Sequence, residues 1–155
     1  MTALRSVWVS LIWLFVILIP VQFYLAGHGA MEGGHSADKA SGKPPVLTVM
    51  SNAWDPHIAV GTIMALLAIL IVLVALTSRL PGDSLLLSVG LFVLMLAQYI
   101  LPFFNDSAST RGIAALHAVN ALLVTGLAVM LALRSRPYLP IGRSSSPAHT
   151  EASAP

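Results

Sequence analysis

Two histidines, His57 and His117, stand in runs that are otherwise apolar, and carboxamides accompany them at Gln22, Gln98 and Asn120. Imidazole pairs can clasp a metal or the iron of a haem. Gly61 follows His57 by one helical turn, so the same face has room for a flat ring or for a close neighbouring helix. Asn120 shares the face of His117 and could orient a ligand or the imidazole behind it. The plainer role is a hydrogen-bonded pair between helices, worth about 0.6–2 kcal/mol per bond in a bilayer. A weaker group is His28, Met31 and His35, in a glycine-rich stretch. Imidazole with thioether suits copper, Cu(I) above all. The surrounding glycines read as a flexible loop with no preformed site.

These side chains must be carried by elements that suit an unusual composition. Of 155 residues, 57% are apolar and 9% charged; mean hydropathy is +0.86 and cysteine is absent. A soluble domain carries roughly 25% charged residues. Disulfide scaffolds, zinc fingers and cysteine proteases lack their essential residue here. The formal charge of +2 and the pI near 9.4 rest on few, scattered cations, so nucleic acid is not a partner. Four apolar runs, 7–26, 57–77, 85–104 and 113–133, contain no Asp, Glu, Lys or Arg. Each approaches or reaches the roughly 20 residues that cross a bilayer as a helix. Lipid leaves no partner for an open backbone, and barrel strands would alternate in polarity. The expected fold is all-α, a four-helix transmembrane bundle of up-down topology within residues 1–135.

The links follow from their residues. Residues 27–56 read as a long outer loop, with 45–54 mildly apolar and suited to the interface. Pro81-Gly82 marks a tight turn between the second and third spans. Residues 105–112 form a short polar loop in which Ser107 or Ser109 can cap the fourth helix. Residues 136–155 are rich in Ser, Pro and Ala and read as a disordered tail. A cleaved signal peptide is the other reading of the first run, although its apolar stretch is long for one. No convincing internal repeat is visible.

Orientation follows from Lys and Arg near the spans. A cytoplasmic N-terminus places Arg5, Arg79, Arg134, Arg136 and Arg143 inside, against Lys39, Lys43 and Arg111 outside. Both termini are therefore expected in the cytoplasm, with the protein multi-pass in the cell membrane. The outer half then holds nearly all strong polar groups: Gln22, His28, His57, Gln98, Asn105, His117 and Asn120. Small residues such as Gly61 and Ala65, or Ala128 and Ala132, let helices approach. Trp8, Trp54, Tyr24, Tyr99 and Tyr138 fall near span ends as interfacial anchors do, and Trp13 is deeper and expected to be packed.

The segments Val-Gln-Phe-Tyr-Leu-Ala-Gly-His-Gly-Ala (21–30), Asp-Pro-His-Ile-Ala-Val-Gly (55–61) and Leu-His-Ala-Val-Asn-Ala-Leu (116–122) resemble small four-helix bacterial membrane proteins. Those proteins are classed as a domain of unknown function. The resemblance covers roughly residues 5–135 and singles out Gln22, Gly27, Gly29, His57, Gly61, His117 and Asn120. It is distantly similar to cytochrome b561-type bundles as well. Their full pattern has two haem histidine pairs on opposite sides, whereas this chain has only the outer pair.

Two functions follow as expectations. One is an integral membrane protein with a single site at His57 and His117, holding one haem b or a metal. The other is a non-catalytic accessory subunit of a membrane complex, whose partners are the bilayer and other subunits. An enzyme is disfavoured because no Ser–His–acid or carboxylate pair stands out. A transporter is disfavoured because no charge lies in the spans and no paired broken helices are evident.

Overall fold

A computed structural model describes residues 2–39, 47–105 and 111–138. Helix α1 spans Thr2–Lys39, α2 Leu47–Thr77 and α3 Gly82–Ile100, followed by a 3-10 turn at Leu101–Asn105. Helix α4 spans Arg111–Ser135 and ends in a 3-10 turn at Arg136–Tyr138. All four helices are long and apolar enough to cross a membrane. The protein is an all-α, multi-pass membrane bundle, as its uncharged runs require. Neighbours in sequence are neighbours in space, and α4 closes the ring against α1. The pairs α1/α3 and α2/α4 stand across diagonals, with no close backbone approach among the described residues.

Two helices outrun their expected spans. With 38 residues, α1 is about 57 Å long, and the 31 residues of α2 make about 46 Å, at 1.5 Å per residue. Both exceed the ~30 Å hydrocarbon layer. The stretch 27–39, expected as loop, is helical, and so is 47–56; residues 40–46 lie outside the described residues. Pro56 lies inside α2, as Pro20 lies inside α1, without ending the helix, a placement that membrane helices tolerate.

The glycines have a packing use instead of a loop use. Gly29 and Gly33 face α2. A Cβ on Gly29 would lie 3.0 Å from the Ala53 carbonyl oxygen and 3.1 Å from Trp54 Cδ2. A Cβ on Gly27 would meet nothing within 4 Å. We predict that Gly29→Leu lowers stability by about 1–3 kcal/mol, because the obstruction includes backbone that cannot turn aside. Gly27→Leu should change it by less than about 0.5 kcal/mol. Reversible unfolding in mixed micelles reads both; equal effects would contradict the packing.

The α2–α3 turn is tight. Leu80 N–H bonds the Ala75 carbonyl at 3.3 Å and Arg79 N–H bonds that of Leu76 at 3.2 Å. Arg79 has φ 48°, so it takes the left-handed place usually given to glycine at a helix C-terminus. Leu80 is buried behind it and Pro81 starts the next helix. At the far end, Pro102 lacks an N–H, and α3 stops at Ile100, four residues before the expected end at Phe104, where the chain tightens into 3-10 geometry. Residues 106–110, with the expected caps Ser107 and Ser109, lie outside the described residues. So does the expected tail beyond Tyr138.

Buried positions recur between the two hairpins at constant offsets. Trp8, Ile12, Phe15, Ile19 and Gln22 of α1 match Ser84, Ser88, Leu91, Met95 and Gln98 of α3 at constant offset. In both sets the first four are buried and the glutamine half-buried. His57, Met64, Ala68, Ile71 and Ala75 of α2 likewise match His117, Val124, Ala128, Leu131 and Ser135 of α4, the histidine half-buried and the rest buried. Heptad-like spacing alone would align any two packed helices. Here the phase also carries chemistry, because the α1/α3 match ends on a shared Gln and the α2/α4 match begins on a shared His. The two helical hairpins thus carry matching patterns of buried and half-buried positions.

Candidate functional site

The repeat puts both histidines at one end. Arg5, Arg79 and Arg134 mark the opposite end, at the start of α1, the α2–α3 turn and the last turn of α4. At the histidine-bearing end the rings of His57 and His117 meet across the α2/α4 diagonal, with centroids 6.3 Å apart and planes at 64°.

The α3–α4 half forms a closed ladder of hydrogen bonds. Asn120 Nδ2 donates to the Leu94 carbonyl at 2.8 Å and to Gln98 Oε1 at 2.6 Å. Gln98 Nε2 lies 2.9 Å from His117 Nε2, and His117 Nδ1 lies 3.0 Å from the Gln98 carbonyl. A backbone carbonyl only accepts, so the Leu94 oxygen fixes which way Asn120 points, and Asn120 fixes Gln98. Gln98 therefore donates to His117 Nε2, and His117 Nδ1–H donates to the Gln98 carbonyl. The network selects the neutral Nδ1–H tautomer.

The α1–α2 half uses the same residue types but remains open. Gln22 Nε2 donates to the His57 carbonyl at 3.0 Å and stands 3.5 Å from His57 Nε2. Gly61 makes this approach possible, because a Cβ there would sit 3.1 Å from Gln22 Nε2. The room expected beside His57 is thus occupied by an amide from the adjacent helix. Gln22 Oε1 and His57 Nδ1 are buried and have no hydrogen-bond partner among the described residues. The His57 ring meets Trp54 edge-on, with centroids 5.6 Å apart. Trp54 in turn lies against Gly29, so the protruding part of the α1/α2 pair sets the attitude of His57.

A cavity of about 590 Å³ lies between the four helices at this depth. Gln22, His57, Gln98 and His117 line it from one side, and Ile19, Met64, Met95 and Val124 supply apolar wall. Phe23, Ile58 and Tyr99 also line it and are themselves exposed. Tyr99 was expected only as an interfacial anchor. Its hydroxyl donates to Thr62 Oγ1 at 3.0 Å, because the Thr62 hydroxyl proton is given to the Ile58 carbonyl at 2.9 Å. Pairing of an aromatic with the glutamine before it was the available signal, since Phe23 follows Gln22 as Tyr99 follows Gln98.

The donor set does not suit a haem. Axial ligation needs one lone pair from each imidazole aimed at a shared iron. Both nitrogens of His117 are committed to Gln98. His57 Nε2 faces the Gln22 amide. The arrangement does not fit a haem without breaking both amide contacts. For a metal ion, no group of three or more His, Cys, Asp or Glu comes together among the described residues. His28, Met31 and His35 lie on the exposed surface of α1, where His28 leans against Tyr24 with centroids 6.1 Å apart.

Residues 45–104 match the model of a family of unknown function, DUF6220. The match spans α2 and α3 and so includes His57, Gly61 and Gln98, while Gln22, His117 and Asn120 lie beyond it. The chain is similar to that family over less than half its length. No curated protein and no solved structure matches it. The distant likeness to cytochrome b561-type bundles finds no support in these comparisons.

Proposed function

We propose that this membrane protein binds a small, largely apolar molecule in the cavity between its helices, at the end bearing His57 and His117. The carrying observation is the cavity itself: about 590 Å³, within the range of small-molecule sites, with mostly apolar walls and a few convergent polar groups. Gln22, Gln98, His57 and His117 build the polar side, Asn120 holds Gln98 in place behind it, and Gly61 admits Gln22. The exposed apolar residues of the lining support entry from the lipid. The bias of Arg5, Arg79, Arg134 and Arg136 supports a cytoplasmic arginine end, which turns the site outward. Among the described residues lining the cavity, the polar groups are amides, imidazoles and the hydroxyls of Tyr99 and Thr125, with no hydroxyl hydrogen-bonded to a base, which supports binding.

The test is native mass spectrometry of protein extracted with its own lipids, together with an absorption spectrum and metal analysis. A co-purifying apolar molecule is expected. Ala121→Phe, which fills the cavity from α4, should remove it while helix content and size-exclusion profile persist. A Soret band abolished by His117→Ala would overturn this reading in favour of a His-ligated haem b. A stoichiometric membrane partner, with the cavity indifferent to Ala121→Phe, would favour an accessory subunit.

A further inference from the structure

The arginine-bearing end carries a second feature, formed where the start of α1 meets the end of α4. The 3-10 turn Arg136–Tyr138 packs against both helices. Its Tyr138 ring stands edge-on to the buried Trp8 indole, with centroids 6.0 Å apart. Over the Tyr138 ring lies the Arg5 guanidinium, 5.6 Å from the centroid. Arg136 opens the same turn, and Arg134 lies in the last turn of α4 just before it. Two arginines are thus close to Tyr138 along the chain, and a third lies on its ring. Arg134 and Arg136 are exposed, and Arg5 is partly so. The one acid at this end among the described residues is Asp83, in the first turn of α3. No ion pair joins a carboxylate to these arginines among the described residues. Depth identifies what they face. One apolar span begins at Ala3, beside Arg5, and another ends on Tyr138. Arginine at a span end keeps its stem in apolar surroundings and carries its head to the phosphate level. Arg5 fits this, since its Nε is closed to water.

We propose that the α1/α4 junction at this end binds an anionic phospholipid, whose phosphodiester is held by Arg5, Arg134 and Arg136. The site lies at the other end of the bundle from the cavity and does not depend on it. A planar guanidinium meets two phosphate oxygens at once, which an ammonium cannot do. Stacking on Tyr138 fixes Arg5 in advance, so less freedom is lost when the head arrives. A zwitterionic head would bring its own cation against three arginines that no carboxylate offsets. A phosphatidylglycerol head brings none. The general preference of one membrane side for arginine accounts for the charge. It does not account for a guanidinium seated on a ring that is itself seated on buried Trp8.

The experiment uses the full chain in nanodiscs of phosphatidylglycerol and phosphatidylcholine in equal amounts, with native mass spectrometry to count the lipids retained. Wild type should retain phosphatidylglycerol over phosphatidylcholine by about tenfold or more. Arg5→Gln and Arg136→Gln should each lower that ratio about fivefold, the worth of one basic residue at a charged leaflet. Arg79→Gln removes the same charge from the same end, but from the α2–α3 turn, across the bundle from the α1/α4 junction. It should change the ratio by less than about twofold, because exposed charges are screened beyond about 10 Å. Two further variants keep the charge and disturb the seat: Arg5→Lys loses the fork and Tyr138→Leu loses the ring. Each should lower the ratio about threefold, and Arg5→Lys covers the case in which Tyr138→Leu does not fold. Equal retention of both lipids by wild type would overturn the site. So would a loss in Arg79→Gln as large as that in Arg5→Gln. A ratio untouched by both charge-keeping variants would also overturn it, since diffuse charge would then account for the binding.

Discussion

Asn120→Val, which makes the second hairpin like the first, should lower the stability of the bundle by about 2–4 kcal/mol. The Asn120 amide makes two hydrogen bonds between α4 and α3, at 2.8 and 2.6 Å. Each such bond between membrane helices is worth about 0.6–1.7 kcal/mol. Their loss also strands Gln98 Oε1, and a buried acceptor without a partner costs about 1–3 kcal/mol. The Leu94 carbonyl retains its own helix bond and adds little. Valine is close in volume, so no cavity term enters. Unfolding followed by steric trapping in bicelles measures the change.

The same substitution has a second, spectroscopic consequence. Asn120 is what orients Gln98, and Gln98 is what presents an N–H to His117 Nε2. Without Asn120 the Gln98 amide can turn over and offer oxygen instead. His117 should then lose its single tautomer, visible as averaged ¹⁵N shifts of the ring nitrogens. His57, whose half has no such lock, is the internal control and should keep its spectrum. A His117 signal unchanged in Asn120→Val would show that the ladder does not set the tautomer.

How much of this was legible in the sequence depends on what each residue needs to reveal its role. The four helices were plain, because a charge-free apolar run in a bilayer has one good solution. His57, His117, Gln22, Gln98, Gly61 and Asn120 stood out as polar or small residues placed where lipid-facing positions want neither. Their grouping at one end was also legible, from depth along each span. What lay beyond reach was direction. Nothing in spacing says that the Gly61 gap faces Gln22, or that both His117 nitrogens are taken by Gln98. The repeat was hidden because only Gln22/Gln98 and His57/His117 recur as identities, while Trp8 against Ser84 and Met64 against Val124 share only burial. The loop expected over 27–56 failed at 27–39, on the glycines. Gly29 and Gly33 read as flexibility when the partner, Trp54, is not in view.

Trp8 illustrates the same limit at the arginine-bearing end, and it carries the other large effect. Its place near a span end suggested an interfacial anchor, with Trp13 the packed one. Trp13 does pack against the core while half-buried, but Trp8 is the more deeply placed of the two, at 0% exposed. Trp8 reaches across the α1/α3 diagonal, where its indole N–H donates to Ser88 Oγ at 3.3 Å. The Ser88 hydroxyl passes its own proton to the Ser84 carbonyl at 2.8 Å. Tyr138 meets the indole edge-on at 6.0 Å, and the Arg5 guanidinium lies over the Tyr138 ring at 5.6 Å. The two diagonals are thus bridged at opposite ends, by Trp8–Ser88 here and by the two histidines there. The small Ser84 and Ser88 on α3 are what the repeat sets opposite a large Trp8 and Ile12 on α1, so volume is complementary across the axis. Trp8→Ala should cost about 2–4 kcal/mol, below the usual range for tryptophan in water-soluble cores. The reduction has a physical reason. In the unfolded membrane state the indole lies in lipid, so the transfer term nearly cancels and the cavity and lost contacts remain. Trp13→Ala, on a partly lipid-facing position, should cost less than about 1 kcal/mol. Trp8→Phe keeps most of the volume, loses the bond to Ser88, and should fall between them. If Trp13→Ala proved as damaging as Trp8→Ala, the central place of Trp8 in the bundle would be refuted.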